Sequence, residues 1–160
     1  MTTDTENTQH TGLNILIIDD HASDLKITAR AFEKAAVKNS VESCLSAETA
    51  LQMLIERSGG LEENEDRLPD LILADIKMPR MDGIEFLEQI KNNAFLKQIP
   101  VIMFTSSKNK QDVKRSYRLG ASGFIQKPVE YDVLAGYIEV FNRYWTQLNQ
   151  LQRDRSCSTK

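Results

Sequence analysis

The chain has 160 residues, enough for one domain that buries roughly two thirds of the surface its unfolded form would expose. Its 20 Lys+Arg against 23 Asp+Glu leave a formal charge of −3, which excludes a broad basic footprint and makes direct nucleic-acid binding an unexpected role. No apolar run approaches the ~20 residues that span a bilayer, and the start, "MTTDTENTQHTG", has neither a basic leader nor an apolar stretch, so the expected setting is cytoplasmic and away from membranes.

After a polar tail over residues 1–12, "LNILII" reads as a short buried strand that runs into Asp19 and Asp20. "SDLKITARAFEKAAV" then sets Leu25, Ala29, Phe32 and Ala36 at helical spacing. "SVESCL" is a weaker strand containing Cys44. This cysteine has no paired spacing with Cys157, so two free thiols in a reducing compartment are expected and a metal-thiolate site is not. "SAETALQMLIER" opens on Ser46 as an N-cap and offers Ala50, Leu51, Leu54 and Ile55 as one apolar face.

The third strand is "DLILAD", followed by the helix "GIEFLEQIKNN". The fourth is "VIMFT", with "KQDVKRSYRLG" as its helix and Gly120 at the C-cap. "GFIQ" is the fifth strand, and a last helix runs from about Val129 towards Leu151. Five alternating βα units with strands apolar on both faces predict a doubly wound α/β domain built on a parallel sheet. The acidic segment "SGGLEENEDRLP", residues 58–69, is long for a connection. It enters the third strand at Asp70, about 17 Å from the Asp75 end, and reads as a solvated surface excursion.

In open α/β sheets, ligands bind beyond the carboxyl ends of the strands. Those ends carry Asp19 and Asp20, then Asp75, then Thr105 with Ser106 and Ser107, and finally Lys127-Pro128. Three clustered carboxylates repel one another unless a cation fills the gap. Magnesium suits such a set, because it prefers oxygen ligands and keeps several waters when held by one or two carboxylates. A carboxylate can itself accept a phosphoryl group, and Asp75, at the end of "LILAD" and before the turn "MPRMDG", is the expected nucleophile. Phosphoryl transfer calls for a metal, an ammonium group and a hydroxyl donor. Magnesium would bridge Asp20, Asp75 and the phosphoryl group, Lys127 would pair with Asp75 or the phosphoryl oxygens, and the Thr105 hydroxyl would donate to them.

The acidic pair, "ADIKMPRMDG", "MFTSS" and "GASGFIQKP", in this order, resemble the receiver domain of two-component response regulators over residues 13–146. The resemblance implies a flavodoxin-like (βα)5 fold with strand order 2-1-3-4-5. It also implies Asp75 as phosphoacceptor, Asp19 and Asp20 as the acidic metal-binding pair, Thr105 as switch hydroxyl and Lys127 as the accompanying lysine. The backbone carbonyl of Lys77 would be a further metal ligand, and a cis Lys127-Pro128 bond is expected, an isomer open to X-Pro at small cost. Phe124 stands where the family carries its aromatic switch, here without a hydroxyl. The phosphodonor would be a sensor histidine kinase or a phosphotransfer protein. His10 and His21 do not resemble phosphohistidine sites, and His21 reads as a surface residue.

Residues 147–160 extend the last helix into a tail, leaving no room for a further output module, so the signal is expected to leave through contacts in trans. In "YDVLAGYIEVFNRYWTQLNQL", Leu134, Ile138, Phe141, Trp145 and Leu148 form a stripe. Its later part, Phe141, Tyr144, Trp145 and Leu148, is a candidate homodimer or partner surface, because aromatic residues are enriched in interfaces. The arrangement is also similar to single-domain regulators paired with phytochrome-like histidine kinases. Among alternatives, a haloacid dehalogenase-type phosphatase needs an Asp-x-Asp after the first strand, where Asp19-Asp20-His21 stands. A flavin carrier needs a phosphate cradle where two acids stand, and a degenerate adaptor would not need the intact residue set.

Overall fold

A computed structural model describes residues 12–35, 39–59 and 68–148. The strands are β1 (Asn14–Ile18), β2 (Ser40–Cys44), β3 (Leu71–Ala74), β4 (Val101–Thr105) and β5 (Gly123–Gln126). The helices are α1 (Ala22–Lys34), α2 (Ala47–Ser58), α3 (Gly83–Lys91), α4 (Lys110–Arg118) and α5 (Tyr131–Arg143), and a π-helical turn at Tyr144–Leu148 continues α5. All strands are parallel, in the order β2-β1-β3-β4-β5, as expected for a doubly wound flavodoxin-like sheet.

The three inner strands β1, β3 and β4 are almost wholly buried, which explains their continuous apolar sequences. Because side chains alternate across a strand, they feed two cores. Leu16, Ile18, Ile72, Ala74, Val101 and Met103 pack with Ala50, Leu54, Phe86 and Leu87 of α2 and α3. Ile15, Ile17, Leu71, Leu73, Ile102 and Phe104 pack with Leu25 and Phe32 of α1 and Leu134, Ile138 and Phe141 of α5. The edge strands β2 and β5 are only partly covered, and this is why "SVESCL" carries the weaker signal.

Several faces shift from the sequence expectation. In α1 the buried positions are Leu25, Thr28, Ala31 and Phe32 instead of Ala29, while Ala36 lies outside the described residues. In α2, Ala47 joins Ala50 and Leu54, and Ile55 points outward. The last helix begins at Tyr131, two residues later than expected. Phe141 and Trp145, expected on an interface, are buried inside the domain. Phe141 meets Phe32 edge-to-face at 5.6 Å and Trp145 at 6.2 Å, so the two rings complete the α1–α5 core. Tyr144 remains half exposed, and Leu148 ends the π-helical turn. Of the acidic segment, residues 60–67 fall outside the described residues.

Local chemistry fixes the helix ends that matter. Ser46 caps α2 by accepting from Thr49 N at 3.2 Å. At the end of α4, Gly120 has φ +99°, with Gly120 N donating to Tyr117 O and Ala121 N to Ser116 O, a Schellman closure that fulfils the C-cap expectation. Asp82 caps α3 with one oxygen that accepts from Ile84 N (2.9 Å) and Glu85 N (2.8 Å). Gly83 N donates to Ile76 O at 2.8 Å, closing the β3–α3 loop so tightly that a Cβ on Gly83 would lie 1.9 Å from Asp75 O. Gly83→Ala is therefore expected to lower stability by about 3 kcal/mol, measured by chemical denaturation with circular dichroism.

Candidate functional site

The register of the sheet levels the site. Ile18 pairs with Ala74, so Asp19 and Asp75 follow side by side at the ends of adjacent strands. Their backbones stay tied to the sheet, Asp19 N donating to Cys44 O and Asp75 N to Ile18 O. On the other side, Ala74 pairs with Met103 and Thr105 with Gln126, which brings Thr105 and Lys127 to the same rim. Lys127 N donates to Thr105 O at 2.8 Å and extends β5 into the pocket.

Ligand atoms of Asp19, Asp20, His21 and Asp75 lie within 4.8 Å of one another. Asp19 and Asp75 are buried, Asp20 is partly buried and His21 is exposed. The Lys127 ammonium donates to Asp19 Oδ2, to Asp75 Oδ2 at 3.2 Å and to Asp24 Oδ2 at 3.4 Å. Burial is the largest single influence on this ammonium and lowers its pKa, but hydrogen bonds and charge from Asp19 and Asp75 together outweigh it. The net direction is upward, so Lys127 stays cationic. Its Nζ also lies 5.8 Å from the Phe104 ring centroid.

One lysine does not neutralise this set. Asp75 Oδ1 accepts from Ile76 N at 2.7 Å. Asp20 Oδ1 is buried and makes no hydrogen bond, although it lies within ion-pair range of His21 Nδ1 at 3.1 Å, because the geometry there is not that of a hydrogen bond. A buried carboxylate oxygen without a hydrogen bond, beside two further acids, suits a site that takes a cation. All ligands are oxygens apart from the exposed imidazole, which fits a hard divalent ion.

Thr105 is buried, and its Oγ1 accepts from Ser107 N at 3.2 Å, leaving the hydroxyl proton to donate elsewhere. Ser107 Oγ in turn donates to Asp112 Oδ2 at 2.7 Å, joining the β4 end to the first turn of α4. Phe124 is half buried on β5, packed against the core on the α2–α3 side. The side chain of Lys77 is exposed.

Two expectations need amendment. Among the described residues no peptide bond is cis, so Lys127-Pro128 is trans, the isomer that X-Pro favours by about 0.5–1 kcal/mol. His21 is exposed as expected, yet it also belongs to the acidic cluster: its backbone N donates to Asp19 Oδ1 at 2.9 Å and its ring lies 3.3 Å from the same oxygen. That hydrogen bond to Asp19, followed by the charges of Asp20 and Asp19, raises the imidazole pKa. Sequence reasoning missed Asp24, which reaches Lys127 from the first turn of α1. The only signal was an acid one helical turn after the acidic pair. It also missed a cleft of about 260 Å³ beside Lys127, lined by Asp24, Ile27, Phe104, Pro128 and Tyr131 among others.

Parallel strands ordered β2-β1-β3-β4-β5, with acids at the ends of β1 and β3 and a lysine after β5, define the architecture of a receiver domain. The chain belongs to that family: residues 15–139 match the response regulator receiver domain. It is 30% identical to the probable methanogenesis regulatory protein FilR2 of Methanothrix harundinacea, covering 85% of each chain. It is 29% identical to the response regulator Rcp1 of Synechocystis sp., covering 83% of this chain and 88% of that protein. The phosphorylated cyanobacterial phytochrome response regulator RcpA superposes with a TM-score of 0.77 at 28% identity, over 88% of this chain and 99% of that one. The Mn(2+)-bound form of Rcp1 superposes with a TM-score of 0.73 at 27% identity, over 87% and 98%. No helix among the described residues is long and apolar enough to cross a membrane.

If the acidic cluster takes a divalent ion, a concentration about 100 times the Kd adds about 2.7 kcal/mol of stability. Asp20→Asn is expected to stabilise the cation-free protein by removing one repelling charge, and to blunt the cation-dependent rise in Tm. Differential scanning fluorimetry with and without magnesium reads both effects.

Proposed function

We propose that this chain is a phosphorylation-dependent signalling switch that receives a phosphoryl group on Asp75 from a histidine kinase or phosphotransfer protein. The observation that supports it best is the meeting of Asp75 with Asp19, Asp20 and Lys127 at one rim of the sheet. Asp75, buried except where its carboxylate meets the pocket, would attack phosphorus; the new O–P bond forms as the P–N bond to the donor imidazole breaks, and the imidazole keeps the electron pair and picks up a proton. Lys127, already bonded to Asp19 and Asp75, would hold the carboxylates before transfer and the phosphoryl oxygens after it. Magnesium, held by Asp19, Asp20, Asp75 and the backbone carbonyl of Lys77, would supply charge neutralisation on the phosphoryl oxygens.

The Thr105 hydroxyl donates to the bound phosphoryl group, and its departure from Ser107 N is the first step outward. Phe124 would then turn towards the space that Thr105 leaves, altering the face formed by α4, β5 and α5. Water attacking the phosphorus of the aspartyl phosphate would break its O–P bond, release inorganic phosphate and restore the Asp75 carboxylate, so the group is held for a time as a signal and the chain would act as a switch and not as a turnover enzyme. Residues 13–146 form the receiver, flanked by the tail 1–12 and the extension 147–160, in a cytoplasmic protein that signals in trans and binds no DNA.

Output runs through protein contacts, and the exposed residues Tyr137, Val140 and Tyr144 at 3- and 4-residue steps along α5 offer a homodimer surface. They replace Phe141 and Trp145 in that role, whose rings belong to the core. Val140→Glu combined with Tyr144→Glu is expected to leave folding intact and reduce self-association in sedimentation analysis; unchanged association would discard this surface. Incubation with magnesium and acetyl phosphate is expected to add one phosphate by mass spectrometry. Asp75→Asn abolishes this, and a wild-type chain that takes no label would reject the switch.

A further inference from the structure

The loop between β3 and α3 carries an unusual restraint outside the carboxylate pocket. Among the described residues, Arg80 is the non-glycine residue with left-handed backbone, φ +66°. Such a conformation costs on the order of 1 kcal/mol and persists where its surroundings hold it. The ends of the loop are held by Ile76 O with Gly83 N and by the Asp82 cap. Its middle is held from a different element. Glu48, in the first turn of α2, accepts with Oε1 from Met81 N at 3.0 Å and from Arg80 Nε at 3.2 Å.

Glu48 is itself well anchored, because its neighbours Ala47 and Ala50 are fully buried and Ser46 caps the helix. Its other oxygen, Oε2, is buried without a hydrogen-bond partner, an unfavourable arrangement for a carboxylate whose work is only a surface ion pair. An exposed Arg–Glu pair stabilises a protein little. The charge-assisted bond to Met81 N is the stronger element, and it pins the backbone of the loop that begins at Asp75.

We propose that Glu48 is a positioning residue: it clamps the middle of the β3–α3 loop and so sets how well the pocket, with the Lys77 carbonyl on that loop, accepts a divalent cation. The inference rests on the reading of the pocket given above. Groups outside the ligand set that orient ligands commonly govern metal affinity by tenfold or more. Glu48 lies outside the acidic cluster and bonds to Arg80 and Met81, so it would act through the loop.

The test is magnesium binding to the full-length chain by isothermal titration calorimetry, together with amide exchange at Met81 by NMR. Glu48→Ala is expected to raise the Kd about tenfold and to expose the Met81 amide to exchange. Glu48→Gln keeps an acceptor for Met81 N and is expected to bind close to the wild type. Circular dichroism establishes that each variant is folded at the assay temperature. Wild-type affinity in Glu48→Ala, or an equal loss in Glu48→Gln and Glu48→Ala, overturns the clamp while leaving the switch intact. A wild-type chain that binds no magnesium overturns both.

Discussion

The structure turns on an imbalance of charge at the carboxyl edge of the sheet. Lys127 reaches Asp19, Asp75 and Asp24 at once, while Asp20 keeps a buried oxygen without a hydrogen bond. Buried charge is tolerated only when paired, and here one ammonium serves more acids than it can neutralise. The pocket is thus held in a state that favours arrival of positive charge, and the rest of the fold serves to keep these groups from drifting apart. Parallel pairing fixes the levels of Asp19, Asp75 and Thr105, and the cores on both faces hold the strands that carry them.

The connection outward is equally local. Thr105 contacts Ser107 and Ser107 contacts Asp112, so a hydroxyl in the pocket is two hydrogen bonds from the first turn of α4. Helix α4 is rooted by little apolar burial; Ser116 is its fully covered residue. A small change at Thr105 meets a helix that apolar packing restrains weakly. By contrast α3 buries Ile84, Phe86, Leu87 and Ile90 and serves as a fixed wall behind the loop after Asp75.

Much of this was legible in the sequence, and the reasons are specific. Strands β1, β3 and β4 were readable because both their faces are covered, so their buried apolar runs continue unbroken up to Asp19, Asp75 and Thr105. The convergence of Asp19, Asp20, Asp75 and Lys127 then followed from the rule that places sites beyond strand ends. What sequence could not show were contacts made between elements. Asp24 looks like any acid in a first helical turn until α1 is laid against the end of β5. Glu48 gains meaning only from the proximity of α2 to the loop at Met81. Trp145 read as an interface residue because aromatics are enriched there, and only its packing against Phe141 places the ring inside the domain.

The partners in the pocket come from distant parts of the chain: 108 positions separate Lys127 from Asp19, and 52 separate it from Asp75. During synthesis the acids emerge first and their counter-charge last. Until the fifth strand docks, the half-built rim repels itself, which disfavours any compact intermediate lacking that strand. The ammonium that pairs Asp19 and Asp75 thus reaches them only where the fifth strand has joined the sheet.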